Sequence, residues 1–124
     1  MSTRANILLL ETGNKLWLYH HFDGYPSYLG DCLMKIMQKH KEHKWLDIYE
    51  LANEMIKNKE DDGFEITNDR HGDIEYIYII NVEEQSIVCR KTSFDSIYND
   101  TTIIEAKYNN DEDIQKWFDF CDKN

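Results

Sequence analysis

The sequence is short of cysteine, proline and glycine, and each shortage excludes a class of protein. Its three cysteines, Cys32, Cys89 and Cys121, are odd in number and form no C-x-x-C pair. Neither a disulfide framework nor a zinc knuckle is therefore predicted, and we expect buried, inert thiols. One proline and five glycines in 124 residues, of which 41% are hydrophobic, are typical of a packed globule. We expect one globular domain spanning residues 1–124.

Long hydrophobic runs are also missing. The N-terminal segment MSTRANILLLETG contains an apolar run of only four residues, 7–10. This run is too short for a signal peptide or a membrane span. We therefore expect a cytoplasmic protein that has no association with a membrane.

Positive charge is scarce and unevenly distributed. The chain has 14 Lys and Arg residues against 24 Asp and Glu residues, for a net charge of −10. Residues 1–59 hold 8 basic and 7 acidic groups, whereas residues 60–124 hold 6 basic and 17 acidic groups. Because a negative surface repels phosphate backbones, direct nucleic-acid binding is not expected, and a partner protein with a basic surface is favoured. The alternative interpretation is that the charge serves solubility alone.

The first half of the chain has the pattern of a hairpin followed by two helices. Two β-rich runs, 6–11 and 15–22, are separated by a loop in which Gly13 can supply a positive φ. The D-G-Y-P turn then leads to a helix that Ser27 can cap. A second helix is predicted from an apolar stripe whose members are Trp45, Ile48, Tyr49, Ala52 and Ile56.

From residue 64 onward the apolar period changes to two. The β-rich runs 64–67, 74–82, 86–93 and 102–108 predict an antiparallel meander. The run 74–82 is apolar on both faces, so it is central in its sheet or covered on both sides, by helices or by a second copy of the chain in a homo-oligomer. A final helix is predicted to begin after Asn110 or Asp111. These elements predict an α+β fold, in which about three helices pack on one face of a largely antiparallel sheet built from the N-terminal hairpin and the C-terminal meander.

A first candidate site is the corner where the second strand, the turn and the first helix meet. Free N–H groups at a helix start suit an anion, and aromatic rings beside them can stack on a base or sugar. This pattern favours a small ligand such as a signal nucleotide, although no glycine-rich phosphate loop is present and a purely structural corner is the other interpretation. The candidate ligand-binding residues are His21, Asp23, Tyr25, Tyr28 and Asp31.

Patterns that indicate catalysis or metal binding are weak. His71 lies in a polar turn beside carboxylates, where it could act as a general base. The H-x-x-H spacing of His40 and His43 suits a metal, but no further ligand accompanies it. We therefore expect a protein that is not an enzyme and that has no catalytic residue, metal or cofactor. The alternative is a metal-independent enzyme that uses His21 or His71 with a nearby carboxylate.

A second candidate site is formed by the acidic series of the C-terminal half. Its carboxylates lie mostly in turns and at helix ends, where folding can join them into one negative surface. Carboxylates on a rigid scaffold can imitate a phosphate backbone and occupy the nucleic-acid groove of another protein. The candidate partner-binding residues are Glu83, Glu84, Asp111, Glu112 and Asp113.

The opening MSTRANI and the later LYHHFDGYPSYLG carry a family resemblance over about the first 35 residues. They resemble small bacteriophage and prophage proteins that begin M-S-T-R-[AS]-N-I and have a Y-x-H-x-D-G-Y-P turn. The resemblance implies a location in the bacterial cytoplasm and a host-directed role, for example inhibition of a defence nuclease or sequestration of a signal nucleotide, but no specific activity. For this chain it prompts the hypothesis that Arg4 pairs with Asp23 and pins the N-terminus beneath the corner.

Overall fold

The structure is a computed structural model that describes residues 3–40, 47–57, 63–92 and 100–124. Within these residues it contains six β-strands and three α-helices, which confirms the predicted α+β class. A five-residue π-helical turn, Pro26–Gly30, precedes the first helix. The strands are β1 (Ala5–Glu11), β2 (Asn14–His20), β3 (Phe64–Thr67), β4 (Tyr76–Asn81), β5 (Ser86–Lys91) and β6 (Thr101–Lys107); the helices are α1 (Asp31–His40), α2 (Ile48–Ile56) and α3 (Asp111–Lys123).

The strands form one sheet in the order β3-β2-β1-β4-β5-β6. Neighbouring strands are antiparallel, as predicted, except that β1 and β4 are parallel, with Ile7 opposite Tyr78. The predicted meander is therefore limited to β4, β5 and β6, because β3 pairs with β2 at the opposite edge of the sheet. The position of β4 inside the sheet confirms the central strand that its two apolar faces predicted. The β1–β2 loop also turns as predicted, with Gly13 at φ +79°.

All three helices pack on one face of the sheet. Alternate strand residues such as Ile7 and Tyr78 share one buried core with helix residues such as Leu51 and Trp117. The other face carries a smaller cluster, formed by Tyr19, Ile74 and Ile77. This division separates the two adjacent histidines as the strand period predicts, because His20 is buried and His21 is exposed.

The helical segment after the corner begins earlier than predicted. Pro26 occupies the first position of the π-helical turn, where its fixed φ is already suitable. Tyr25 precedes it and makes no side-chain capping bond, although its carbonyl accepts hydrogen bonds from the backbone N–H groups of Tyr28 and Leu29. The prediction that Ser27 caps this helix was wrong, because Ser27 lies inside the turn and is exposed.

Helix α2 presents a different face to the core from the one that its predicted stripe implied. Asp47 caps α2 by accepting the backbone N–H of Glu50 at 2.8 Å. Tyr49 and Ile56 were predicted to be buried and are 55% and 39% exposed, so the prediction was wrong for these two. Apolar residues occupy more of the circumference of α2 than one face of the sheet can cover, so only some of them are buried. Trp45 lies outside the described residues; the buried residues of α2 are Ile48, Leu51, Ala52 and Met55.

Helix α3 begins as predicted. The Asn110 side chain accepts the backbone N–H of Asp113 at 3.0 Å, and three acidic residues occupy the first turn, where they complement the helix dipole. At 13 residues α3 is the longest helix of the described segments, and none of the helices described there is long and apolar enough to cross a membrane.

Candidate functional site

The five predicted partner-binding residues lie at one end of the sheet, although two segments far apart in sequence supply them. Glu83 and Glu84 lie in the turn between β4 and β5, and the other three form the first turn of α3. The pairing of β5 with β6 places Ser86 opposite Lys107 and so brings the two segments together. We call the surface formed by Glu83, Glu84, Asp111, Glu112 and Asp113 the acidic end.

The turn that carries the two glutamates is fixed by its own sequence. Asn81, the last residue of β4, accepts hydrogen bonds at 3.0 Å from the backbone N–H groups of both Glu83 and Glu84 through its side-chain oxygen. Gln85 then takes a positive φ of 55°, and the chain enters β5. An asparagine that bonds the backbone two and three residues ahead is a common way to start a turn, so both glutamate side chains are projected outward.

Glu83 is held further by the loop between β1 and β2. Its carboxylate accepts the backbone N–H of Thr12 at 2.8 Å and also the Thr12 hydroxyl. These hydrogen bonds to the charged form lower the pKa of Glu83 below its usual value. Glu83 is therefore an ionised carboxylate in a fixed position.

The helix side of the acidic end is joined to the turn through Lys107. The backbone N–H of Lys107 donates to the Asp113 carboxylate at 2.8 Å, and its ammonium group donates to the carbonyl of Glu84 at 3.1 Å. The backbone N–H of Tyr108 adds a 2.9 Å bond to the carbonyl of Gln85. The two acidic segments are thus held as one unit, from which Glu83, Glu84, Asp111 and Glu112 are exposed to solvent.

The five predicted ligand-binding residues are not gathered in the same way. His21 lies on the sheet face opposite the helices, with Nε2 3.1 Å from Oε2 of Glu65. The Tyr25 hydroxyl hydrogen-bonds to the Asp23 carboxylate. Desolvation and this neighbouring charge raise the pKa of Tyr25. The Tyr28 ring lies 6.3 Å from the ring of buried His20, and Asp31 forms a 2.8 Å ion pair with Lys35. Of the five, the structure thus joins Asp23 to Tyr25, and the ligand-binding role stays a prediction.

The backbone of the corner packs directly into the core. The N–H of Gly24 donates to the carbonyl of Thr3 at 2.9 Å, and the buried Tyr78 hydroxyl donates to the carbonyl of Gly24 at 2.7 Å. A Cβ on Gly24 would lie 2.8 Å from the Cβ of Ala5. These contacts are the features of a structural corner that anchors the N-terminal strand.

The hypothesis that Arg4 pairs with Asp23 was wrong. Arg4 lies 3.1 Å from the carboxylate of Asp73, because the segment after β3 returns alongside the start of β1 and the backbone N–H of Glu75 donates to the carbonyl of Arg4. The Tyr19 hydroxyl donates to the same Asp73 carboxylate at 2.9 Å. The N-terminus is still attached to the corner, but through the backbone bond between Thr3 and Gly24.

His71 is joined to Asp73 and Arg4 through Tyr19. Its ring stacks on Tyr19 at 4.0 Å between centroids, its Nε2 lies 2.8 Å from the Thr67 hydroxyl, and its backbone N–H donates to the side chain of Asn6. Burial and the Asp73 carboxylate raise the pKa of Tyr19 to about 12, so this hydroxyl stays protonated at neutral pH and acts as a donor. The contacts hold the segment 68–75 against the sheet, and a catalytic role for His71 or His21 stays a prediction.

Among the described residues, no group of three or more His, Cys, Asp or Glu side chains could hold a metal ion, and the segment with His43 lies outside those residues. Comparisons of the chain with protein-family models, with curated proteins and with solved structures found no match. The geometry of the molecule is therefore the basis for a functional proposal.

Three residues that build the acidic end, Asn81, Thr12 and Lys107, were missed by sequence reasoning. Asn81 was detectable, because an asparagine directly before a polar turn is a known turn signal. Thr12 was not, because its contact with Glu83 spans 71 positions and depends on the parallel pairing of β1 with β4.

Proposed function

We propose that this protein is a small acidic binding protein whose acidic end attaches to a basic surface on another protein. The observation that carries the proposal is the convergence of carboxylates from the β4–β5 turn and the start of α3 on one end of a single sheet.

The rigidity of the acidic end supports this role. Hydrogen bonds from Thr12 and Lys107 hold the Glu83 and Asp113 carboxylates, and Asn81 and Lys107 fix the backbone that carries Glu84 before any partner arrives. A fixed group loses less conformational entropy on binding than a mobile one, so more of the electrostatic attraction appears as affinity. The attraction also steers the encounter, because complementary potentials raise association rates at low salt.

The nature of the partner follows from the charge. A surface that repels phosphate is attracted to proteins that bind phosphate, and the partner we propose is a nucleic-acid-binding protein whose groove the acidic end occupies by charge mimicry. The resemblance of the N-terminal segment to bacteriophage proteins favours a bacterial host protein, such as a defence nuclease, in the host cytoplasm. In this proposal the chain inhibits by occupying a site and catalyses no reaction.

The test is an affinity capture from bacterial lysate at low and high salt, followed by identification of bound proteins by mass spectrometry. Two triple variants with the same change in net charge are compared with the wild type. One neutralises three exposed carboxylates of the acidic end, as Glu84→Gln, Asp111→Asn and Glu112→Gln. The matched control neutralises three exposed carboxylates elsewhere, as Asp69→Asn, Glu105→Gln and Asp122→Asn.

We expect a basic partner that is retained at low salt, released at high salt, and lost from the first variant only. The salt dependence of its affinity for the first variant should also become flatter, because fewer charge pairs are broken by added ions. Equal losses in both variants would show that net charge alone drives the interaction. Full retention by the first variant would reject the acidic end as the binding surface.

A further inference from the structure

An open groove lies between α2 and the β3 edge of the sheet, on the same face as the helices. Its volume is about 530 Å³, and its apolar lining residues include Leu16, Tyr49, Ile56 and Ile66. Ile66 lies opposite Leu18 in the sheet and therefore points toward the helix side. Tyr49 and Ile56 are seven positions apart, which places them on one side of α2.

Exposed apolar side chains are concentrated in this groove. The large hydrophobic residues that are exposed in the described part of the chain are Tyr49, Ile56 and Ile66, and all three line it. Ile66 is 57% exposed although it belongs to a strand of the central sheet. Single exposed apolar residues are ordinary, whereas a cluster of them in one groove is typical of a binding surface.

One wall of the groove is the outer edge of the sheet. β3 pairs with β2 on one side and, within the described residues, ends the strand order on the other. The backbone N–H of His21 donates to the carbonyl of Gly63 at 3.3 Å, and bonded pairs alternate along an antiparallel ladder. The backbone N–H and C=O groups of Phe64 and Ile66 consequently point away from β2, in the orientation that accepts an added strand.

The other wall carries negative charge. Asp47 and Glu50, at the start of α2, line the groove, and no lysine or arginine is among the lining residues that the structure describes. Tyr49 beside them is 55% exposed, and an aromatic ring of this kind can receive a cation on its face. Among the described residues, the groove therefore combines apolar contacts, the edge strand of the sheet and an excess of negative charge.

We infer that this groove binds an extended segment of another protein, which adds a strand to β3 and turns both apolar residues and lysine or arginine toward the groove at alternate positions. A second copy of the chain fits less well, because it would bring another Asp47, Glu50 and Glu65 to the same edge and create like-charge contacts. The inference concerns a surface distinct from the acidic end and does not depend on the function proposed for that end.

The test uses a defined probe, a nine-residue peptide with lysine at positions 1 and 9, valine at positions 3, 5 and 7 and threonine at the even positions, with both termini blocked. Its valines and lysines lie on one face of the strand. One comparison peptide has glutamate in place of lysine, and another has proline in place of the central valine, which removes a backbone donor. Binding to the full chain is measured by calorimetry. Amide hydrogen exchange of Phe64 and Ile66, followed by NMR, reports whether the peptide pairs with the strand edge.

We expect the valine–lysine peptide to bind and to slow exchange at both amides, and we expect the other two peptides to bind at least about tenfold more weakly. Ile66→Ser should weaken binding about tenfold or more, because it removes one buried apolar contact, while Thr102→Ser on the opposite edge strand should not. Glu50→Gln should weaken binding about two- to fivefold, and its control Glu105→Gln should leave it within about twofold.

Three results would overturn the inference. Equal affinity for the lysine and glutamate peptides would reject the charge preference, and unchanged exchange at Phe64 and Ile66 would reject strand addition. A concentration-dependent dimer that Ile66→Ser dissociates would make a second copy the occupant. The triple variant Glu84→Gln, Asp111→Asn and Glu112→Gln should retain peptide binding within about twofold. The groove proposal and the proposal for the acidic end can therefore fail independently of each other.

Discussion

Replacing Gly24 with alanine should destabilise the fold through one contact in the corner. The added Cβ would lie 2.8 Å from the Ala5 side chain and 3.2 Å from two backbone atoms, the Ala5 nitrogen and the Arg4 carbonyl carbon. Backbone atoms of a central strand do not move independently, so the corner has to shift away from β1. Overpacking of this kind costs about 1–3 kcal/mol. For a domain of this size, each kcal/mol lowers the melting temperature by about 3–6 °C.

The assay is thermal and urea unfolding followed by circular dichroism, with Gly72→Ala as the matched control. A Cβ at Gly72 would meet nothing within 4 Å, so this variant should stay within about 0.5 kcal/mol of the wild type. In the background of Ala5→Gly, which removes the closest contact, Gly24→Ala should cost less than it does in the wild type. Equal stability of the Gly24→Ala and Gly72→Ala variants would refute the argument that the corner is packed against β1.

Three further predictions concern single groups. Tyr78→Phe should lower the free energy of unfolding by about 1–3 kcal/mol, measured in urea, because it leaves the buried carbonyl of the corner without its donor. The pKa of Glu83 is lower in the folded state than its unfolded value of 4.5, so the ionised carboxylate stabilises the fold above pH 4.5. This stabilisation is lost as the pH falls through the folded pKa. Between about pH 5 and pH 3 the urea midpoint of Glu83→Gln should therefore fall less than that of the wild type. Burial raises the pKa of Cys89 and Cys121 to about 12, so a thiol reagent at about pH 8 should label at most Cys32 in the native protein. After denaturation it should label all three cysteines. Rapid labelling of more than one thiol in the native protein would contradict this prediction.

The local elements of the fold were predictable because their signals lie within a few residues of one another. Alternation marked the strands and three- and four-residue spacing marked the helices, since each element must bury one side. Gly13 and Asn110 have the roles that their residue types predict, namely a positive φ and a helix cap. The separation of His20 from His21 followed from the strand period alone.

The candidate surfaces were predictable only in part. The sequence located the carboxylates of the acidic end in turns and at a helix start, but it contained no information on their distance from one another. Tyr49 and Ile56 have the spacing of core residues, and only the packing of α2 on the sheet decided that Leu51 and Met55 are buried in their place. The groove beside β3 was therefore not predicted.

The sequence by itself determined the secondary structure, the α+β class and the negative character of the second half, because propensity, periodicity and charge depend on neighbouring residues. Tertiary structure decided that β1 pairs with β4 in parallel, that β3 forms an edge, and that Arg4 contacts Asp73 instead of Asp23. These pairings join residues about 44 to 71 positions apart, and they depend on which arrangement buries the most apolar surface while satisfying the backbone. The arrangement depends on interactions across the whole chain, so it cannot be predicted from any short segment.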